Sequence, residues 1–144
     1  MLATKPHRDS LLQRLKAGGA GTEGALQQGT YISLDAADTL STIMVKDMPD
    51  PARFFGGIGS LIESAAKAAK SEQPRVAVFG EAVALLQAEG KADAAIRFEQ
   101  LGNDLVRIHK VDILCAYPLT SFRGKEDKHA FESICAEHSA VYSG

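Results

Sequence analysis

Three polar side chains stand directly after runs that read as β-strands: Asp35 after TYISL, Glu81 after RVAVFG, and Tyr117 after VDILCA. In open parallel sheets, ligands bind in the crevice beyond the carboxyl ends of the strands, so these three positions are the expected ligand contacts. Each also suits a plainer role. A carboxylate at Glu81 fits the positive end of the helix that follows. Asp35 fits a turn, and Tyr117 fits half-buried packing with a satisfied hydroxyl. The glycine-rich stretch GGAGTEG (18–24) has neither the Lys-Ser/Thr pair nor the preceding strand of a phosphate cradle. It reads as a helix C-cap and turn.

The remaining reactive side chains point to no reaction. His109, His129 and His138 are scattered along the chain without metal-ligand spacing, so no metal is expected. His138, in AEHSA, reads as an inward-facing core or capping residue rather than a phosphoacceptor. Cys115 lies inside an apolar strand, where it behaves as a small inert hydrophobe. Neither Cys115 nor Ser121 sits in a Gly-x-Ser-x-Gly elbow. No receiver-type set of acidic residues with a lysine is visible. The expectation is a protein without catalytic residues or cofactor.

The elements that must position these groups alternate between helix and strand. A first helix runs from about Thr4 to Lys16, with Thr4 as cap and Pro6 in its first turn. A short amphipathic piece lies around Ala25–Gln28. Thr30 to Asp35 is rich in strand formers. Asp38 is then expected to cap a short helix carrying Leu40, Ile43 and Met44. Asp47-Met-Pro-Asp-Pro reads as a loop, with Asp50 and Pro51 starting the next helix. That helix places Phe54, Ile58, Leu61, Ile62, Ala65 and Ala69 three and four residues apart and ends near Lys70. Arg75 to Phe79 is an unbroken apolar run, the pattern of a strand buried on both faces. EAVALLQAEG is a helix closed by Gly90. Lys91 to His109 is a second helix, with Ala95, Phe98, Leu101, Leu105 and Ile108 forming one stripe. Val111 to Tyr117 is a strand stopped by Pro118. The loop LTSFRGKED leads to a last helix whose Phe131, Ile134, Cys135 and His138 share a face. The pattern predicts an α/β fold, a mainly parallel sheet flanked by helices in three layers, with three strands visible.

Composition agrees with one globular domain over residues 1–144. The chain is 45% hydrophobic and 24% charged, which excludes disorder and collagen-like repeats. Sixteen basic residues against eighteen acidic ones, a net charge of −2, give no electrostatic footprint for nucleic acid. No apolar run reaches the roughly 20 residues of a membrane span. The N-terminal residues lack a signal-peptide core, so a cytoplasmic location is expected.

Seven stretches together resemble one family: ATKPHRDSLLQRLKA, GTYISLDAADTLSTIMV, MPDPARFF, RVAVFGE, ALLQAEGKADAAIRFEQL, VDILCAYPL and FESICAEHSAVY. They are similar to the MEDS (methanogen/methylotroph sensory) domain of bacterial and archaeal signalling proteins. The resemblance implies a RecA-like α/β fold and a sensory, ligand-input role ahead of a histidine kinase or regulatory module. It also implies a truncated form. Family members begin with a strand, a loop in the phosphate-binding position, a helix and a second strand, whereas this chain opens at ATKPHRD. In that fold an acidic residue in Glu81's place binds magnesium or orients a water, but the loop that cradles phosphate is not seen here. The expected occupant is therefore a small molecule or partner protein at Asp35, Glu81 and Tyr117. The alternatives are a degenerate RecA-like nucleotide-binding protein and a pure interaction module. The missing strands predict an unpaired sheet edge, and hence a homodimer.

Overall fold

A computed structural model describes residues 1–118 and 125–142. Its centre is a parallel sheet of four short strands in the order β2-β1-β5-β6. These are β1 (Leu2–Ala3), β2 (Leu34–Asp35), β5 (Ala77–Gly80) and β6 (Asp112–Cys115). Three were expected, and β1 is the addition. Two residues are too few to show a pattern, yet β1 is one of the two inner strands, with Leu2 opposite both Leu34 and Gly80. Both of its residues are buried.

The first connection contains α1 (Lys5–Ala17) and α2 (Thr22–Gln28), separated by the glycine-rich turn. Thr4 is the N-cap position of α1 and Gly18 its C-cap. No residue of α1 is fully buried; Leu11, Leu12 and Leu15 are only half-buried. After β2 comes α3 (Ala36–Ile43), and here the expected cap moves. Asp35, not Asp38, occupies the cap position and accepts from the Ala37 and Asp38 N–H groups. Asp38 lies inside the first turn, where its charge favours the helix dipole.

The predicted loop after α3 contains a small antiparallel hairpin, β3 (Met44–Val45) and β4 (Met48–Pro49). Lys46 and Asp47 form its two-residue turn, both with positive φ, as the twist of a tight hairpin requires. Asp50 then accepts from the Arg53 N–H at 2.9 Å and Pro51 opens α4 (Pro51–Phe54), as the sequence predicts. The helix does not run evenly to its end. A π-helical turn over Phe55–Gly59 separates α4 from α5 (Ser60–Ala68). Phe54 and Ile62 are buried on either side of this turn, while Ala69 is exposed.

The second half places α6 (Ala82–Ala88) and α7 (Ala92–His109) between β5 and β6. On α7, Ala95, Phe98, Leu101 and Leu105 are buried; Ile108, expected in the same stripe, is 63% exposed. β5 departs from expectation: read as buried on both faces, it has Ala77 exposed and Val78, Phe79 and Gly80 only half-buried. β6 is an edge strand, and Leu114 on it is 61% exposed. The final helix is α8 (Lys125–Ala136). The core joins Leu2, Leu40, Ile43, Phe54, Leu86, Leu101, Leu105 and Ile134. Phe54 meets Phe98 edge-on, with ring centroids 5.0 Å apart.

Candidate functional site

The carboxyl ends of β2, β1 and β5 converge on the start of α1. Glu81 follows β5 at the N-cap position of α6, but its side chain does not cap that helix. The capping role expected of it there is corrected, because the carboxylate turns to α1 instead. It accepts from the Thr4 N–H at 3.1 Å and the Thr4 hydroxyl at 3.3 Å, and lies 2.6 Å from His7 Nδ1. Asp35 contributes the second contact. Its Oδ2 receives Arg8 Nη2 at 2.9 Å while Oδ1 caps α3. The N–H of Asp38 above all, then that of Ala37 and the Arg8 guanidinium, hold the Asp35 carboxyl below the usual carboxylate range. Burial of this carboxyl opposes the shift without reversing it. A helix with no buried residue is thus held at its N-terminal end by two acidic strand ends.

Tyr117 belongs to a different group. Its hydroxyl donates to Glu99 Oε1 on α7. The other oxygen, Glu99 Oε2, lies 3.7 Å from Cys115 Sγ and 3.6 Å from His138 Nε2. Glu99 is buried, with its side chain 7% exposed. Burial, followed by the Glu99 charge, pushes the Cys115 thiol up to about 12, so the free thiol is protonated at neutral pH and is no nucleophile. Burial raises Tyr117 as well.

His138 lies two residues beyond α8. Its Nδ1 is 2.7 Å from the Ile134 carbonyl, which can only accept, so Nδ1 carries a proton and caps the helix end. The segment is tied to α7 by Asn103, whose amide donates to the Glu137 carbonyl at 2.9 Å and to its carboxylate at 2.8 Å. Asn103 and Glu99 are one helical turn apart. The clasp therefore sets the imidazole over the carboxylate, with the Tyr117 ring edge-on to it at 5.9 Å.

Between these groups lies a cavity of about 1030 Å³. Leu34, Phe54, Ile58, Ile62, Val78 and Phe98 supply apolar wall, and Leu11 of α1 also faces it. Glu99, Cys115 and His138 form a polar patch on the same wall. This volume is at the upper end of small-molecule sites. The sequence singled out Asp35, Glu81 and Tyr117, and the fold assigns the first two to α1 and the third to Glu99. Glu99 was read only as part of a helix. Its signal was a lone acidic residue beside Phe98 and Leu101 on the buried stripe. Ser121 lies outside the described residues.

The profile of the family described as "MEDS: MEthanogen/methylotroph, DcmR Sensory domain" matches residues 1–133. The chain belongs to the MEDS family. The match includes both acidic strand ends, most of the cavity wall, Glu99 and Cys115; His138 and its neighbours on the wall lie just beyond it. No curated protein matches the chain, and no solved structure does. MEDS is a sensory domain family, so a sensory role in signalling follows. Among the described residues of this MEDS domain, no helix is long and apolar enough to cross a membrane.

Proposed function

We propose that this MEDS domain is the ligand-input unit of a signalling protein and takes a small, largely apolar molecule into the cavity beneath α1. The observation that carries this reading is the cavity, with its largely apolar wall and a polar patch at Glu99, Cys115 and His138. Such a site gains affinity from apolar burial and orientation from a few polar groups. The output is the position of α1. This helix contributes Leu11 to the wall but is otherwise held by Asp35 and Glu81 through Arg8, Thr4 and His7. A ligand that contacts Leu11 in only one arrangement of α1 shifts the helix toward that arrangement, since differential affinity is what moves an equilibrium. A kinase or regulator module that packs on α1 would register the shift.

The probe is N-phenyl-1-naphthylamine, a neutral apolar fluorophore, titrated while hydrogen exchange is followed along α1. Saturable binding of one probe per chain is expected, with altered amide protection over residues 5–17. Ala65→Phe, which fills the cavity from α5, should weaken binding at least tenfold while leaving the helical circular dichroism intact. Absence of saturable binding, or full binding by Ala65→Phe, would overturn the cavity as the ligand site. Unchanged protection over α1 would overturn its role as output.

A further inference from the structure

Glu99, Cys115 and His138 come from α7, the end of β6 and the segment after α8, far apart in sequence. The fold nevertheless brings one donor atom of each to within 4.8 Å of the others. The types are a carboxylate oxygen, a sulfur and an imidazole nitrogen, the set favoured by zinc and its first-row neighbours. Two of the three donor spacings also fit. Tetrahedral zinc with bonds of about 2.0–2.3 Å holds its donor atoms roughly 3.3–3.8 Å apart. Glu99 Oε2 is 3.7 Å from Cys115 Sγ and 3.6 Å from His138 Nε2.

The surrounding contacts orient His138 and Glu99 toward a common point. The Ile134 carbonyl takes the Nδ1 proton of His138, so Nε2 is the nitrogen left to face Glu99. That Nε2 is buried and makes no hydrogen bond among the described residues. Tyr117 occupies Glu99 Oε1 and leaves Oε2 for the other two groups. A hydrogen bond on the far side of each ligand is how metal sites fix imidazole and carboxylate geometry.

We propose that Glu99, Cys115 and His138 form a three-donor site for a divalent transition metal of the zinc class, with the remaining coordination position open to the cavity. As the metal binds, the Cys115 S–H bond breaks, its proton passes to solvent and the sulfur lone pair forms the bond to the metal. No electron is transferred. The site goes beyond the ligand reading and does not depend on it.

The test is titration of chelator-treated protein with cobalt(II), which reports thiolate coordination by a sulfur-to-cobalt charge-transfer band in the near ultraviolet. One equivalent is expected to bind and give the band, and zinc(II) should displace it. Cys115→Ser should abolish the band, whereas Cys135→Ser, which alters the other cysteine, should keep it. His138→Gln should lower the affinity at least tenfold. Glu99→Gln should do the same; if that buried variant fails to fold, Cys115→Ser and His138→Gln decide the matter. No saturable cobalt binding, a band that survives Cys115→Ser, or one that is lost in Cys135→Ser would overturn the site.

Discussion

Asp35 performs two tasks with one carboxylate: it caps α3 through Oδ1 and holds Arg8 of α1 through Oδ2. Asparagine caps a helix about as well as aspartate, so Asp35→Asn removes the charge while retaining the cap. The folded state holds this carboxyl below its ordinary value, so its stabilisation is complete above the unfolded pKa and is lost as pH falls through the folded one. Thermal melts of the two proteins should therefore differ most near neutral pH and converge in acid. A constant difference at every pH would mean that the ionised carboxylate contributes nothing. Asp35, Glu81 and Tyr117 were legible because each ends an apolar run. Their partners were not. Which of Arg8, His7 and Thr4 meets which carboxylate depends on how α1 crosses the strand ends, and no local spacing encodes that angle.

Elements with strong local chemistry were readable and those made by tertiary pairing were not. Asp50 before Pro51 gave the start of α4, because a cap side chain and a proline at the first helical position both act within one turn. Asp50→Ala should accordingly cost about 1 kcal/mol, read as a lower midpoint in urea unfolding. A cost near zero would show that the neighbouring hairpin holds the helix start unaided. β1 escaped notice because its two residues owe their strand geometry to β2 and β5 on either side. The β3–β4 hairpin escaped because Lys46 and Asp47, rather than glycine or asparagine, take up the positive φ of its turn. The cap of α3 was expected at Asp38 and lies at Asp35, three residues earlier before the same apolar positions.

At the scale of the molecule, the parallel sheet flanked by helices was legible from the alternation of apolar runs and amphipathic stripes. The cluster of Glu99, Cys115 and His138 was not. Histidines scattered in sequence gave no ligand spacing, and only the return of the chain after α8 sets His138 over α7. The sheet ends at β6, whose outer side is paired with no strand among the described residues. Leu114 and Ile108 are exposed on β6 and the adjoining end of α7. Free edges of this kind tend to be covered or paired, so native mass spectrometry is expected to show a homodimer. A monomer at concentrations well above the micromolar range would count against it, and Leu114→Lys should weaken any dimer formed through this edge.

The π-helical turn at Phe55–Gly59 gives the α4–α5 rod one residue of slack. Phe54 and Ile62 are eight positions apart, yet both are buried, as residues seven apart are in an uninterrupted α-helix. The surplus residue is absorbed within FGGIG, where Gly56 and Gly57 have open space around them. Loss of either glycine would leave Phe54 and Ile62 in phase on a plain helix. A deletion within α7 would instead turn everything beyond it by about 100° and carry Leu105 out of the core. Along this cavity wall, then, the π-helical turn is where a change of length would be absorbed, and it lines the cavity through Ile58.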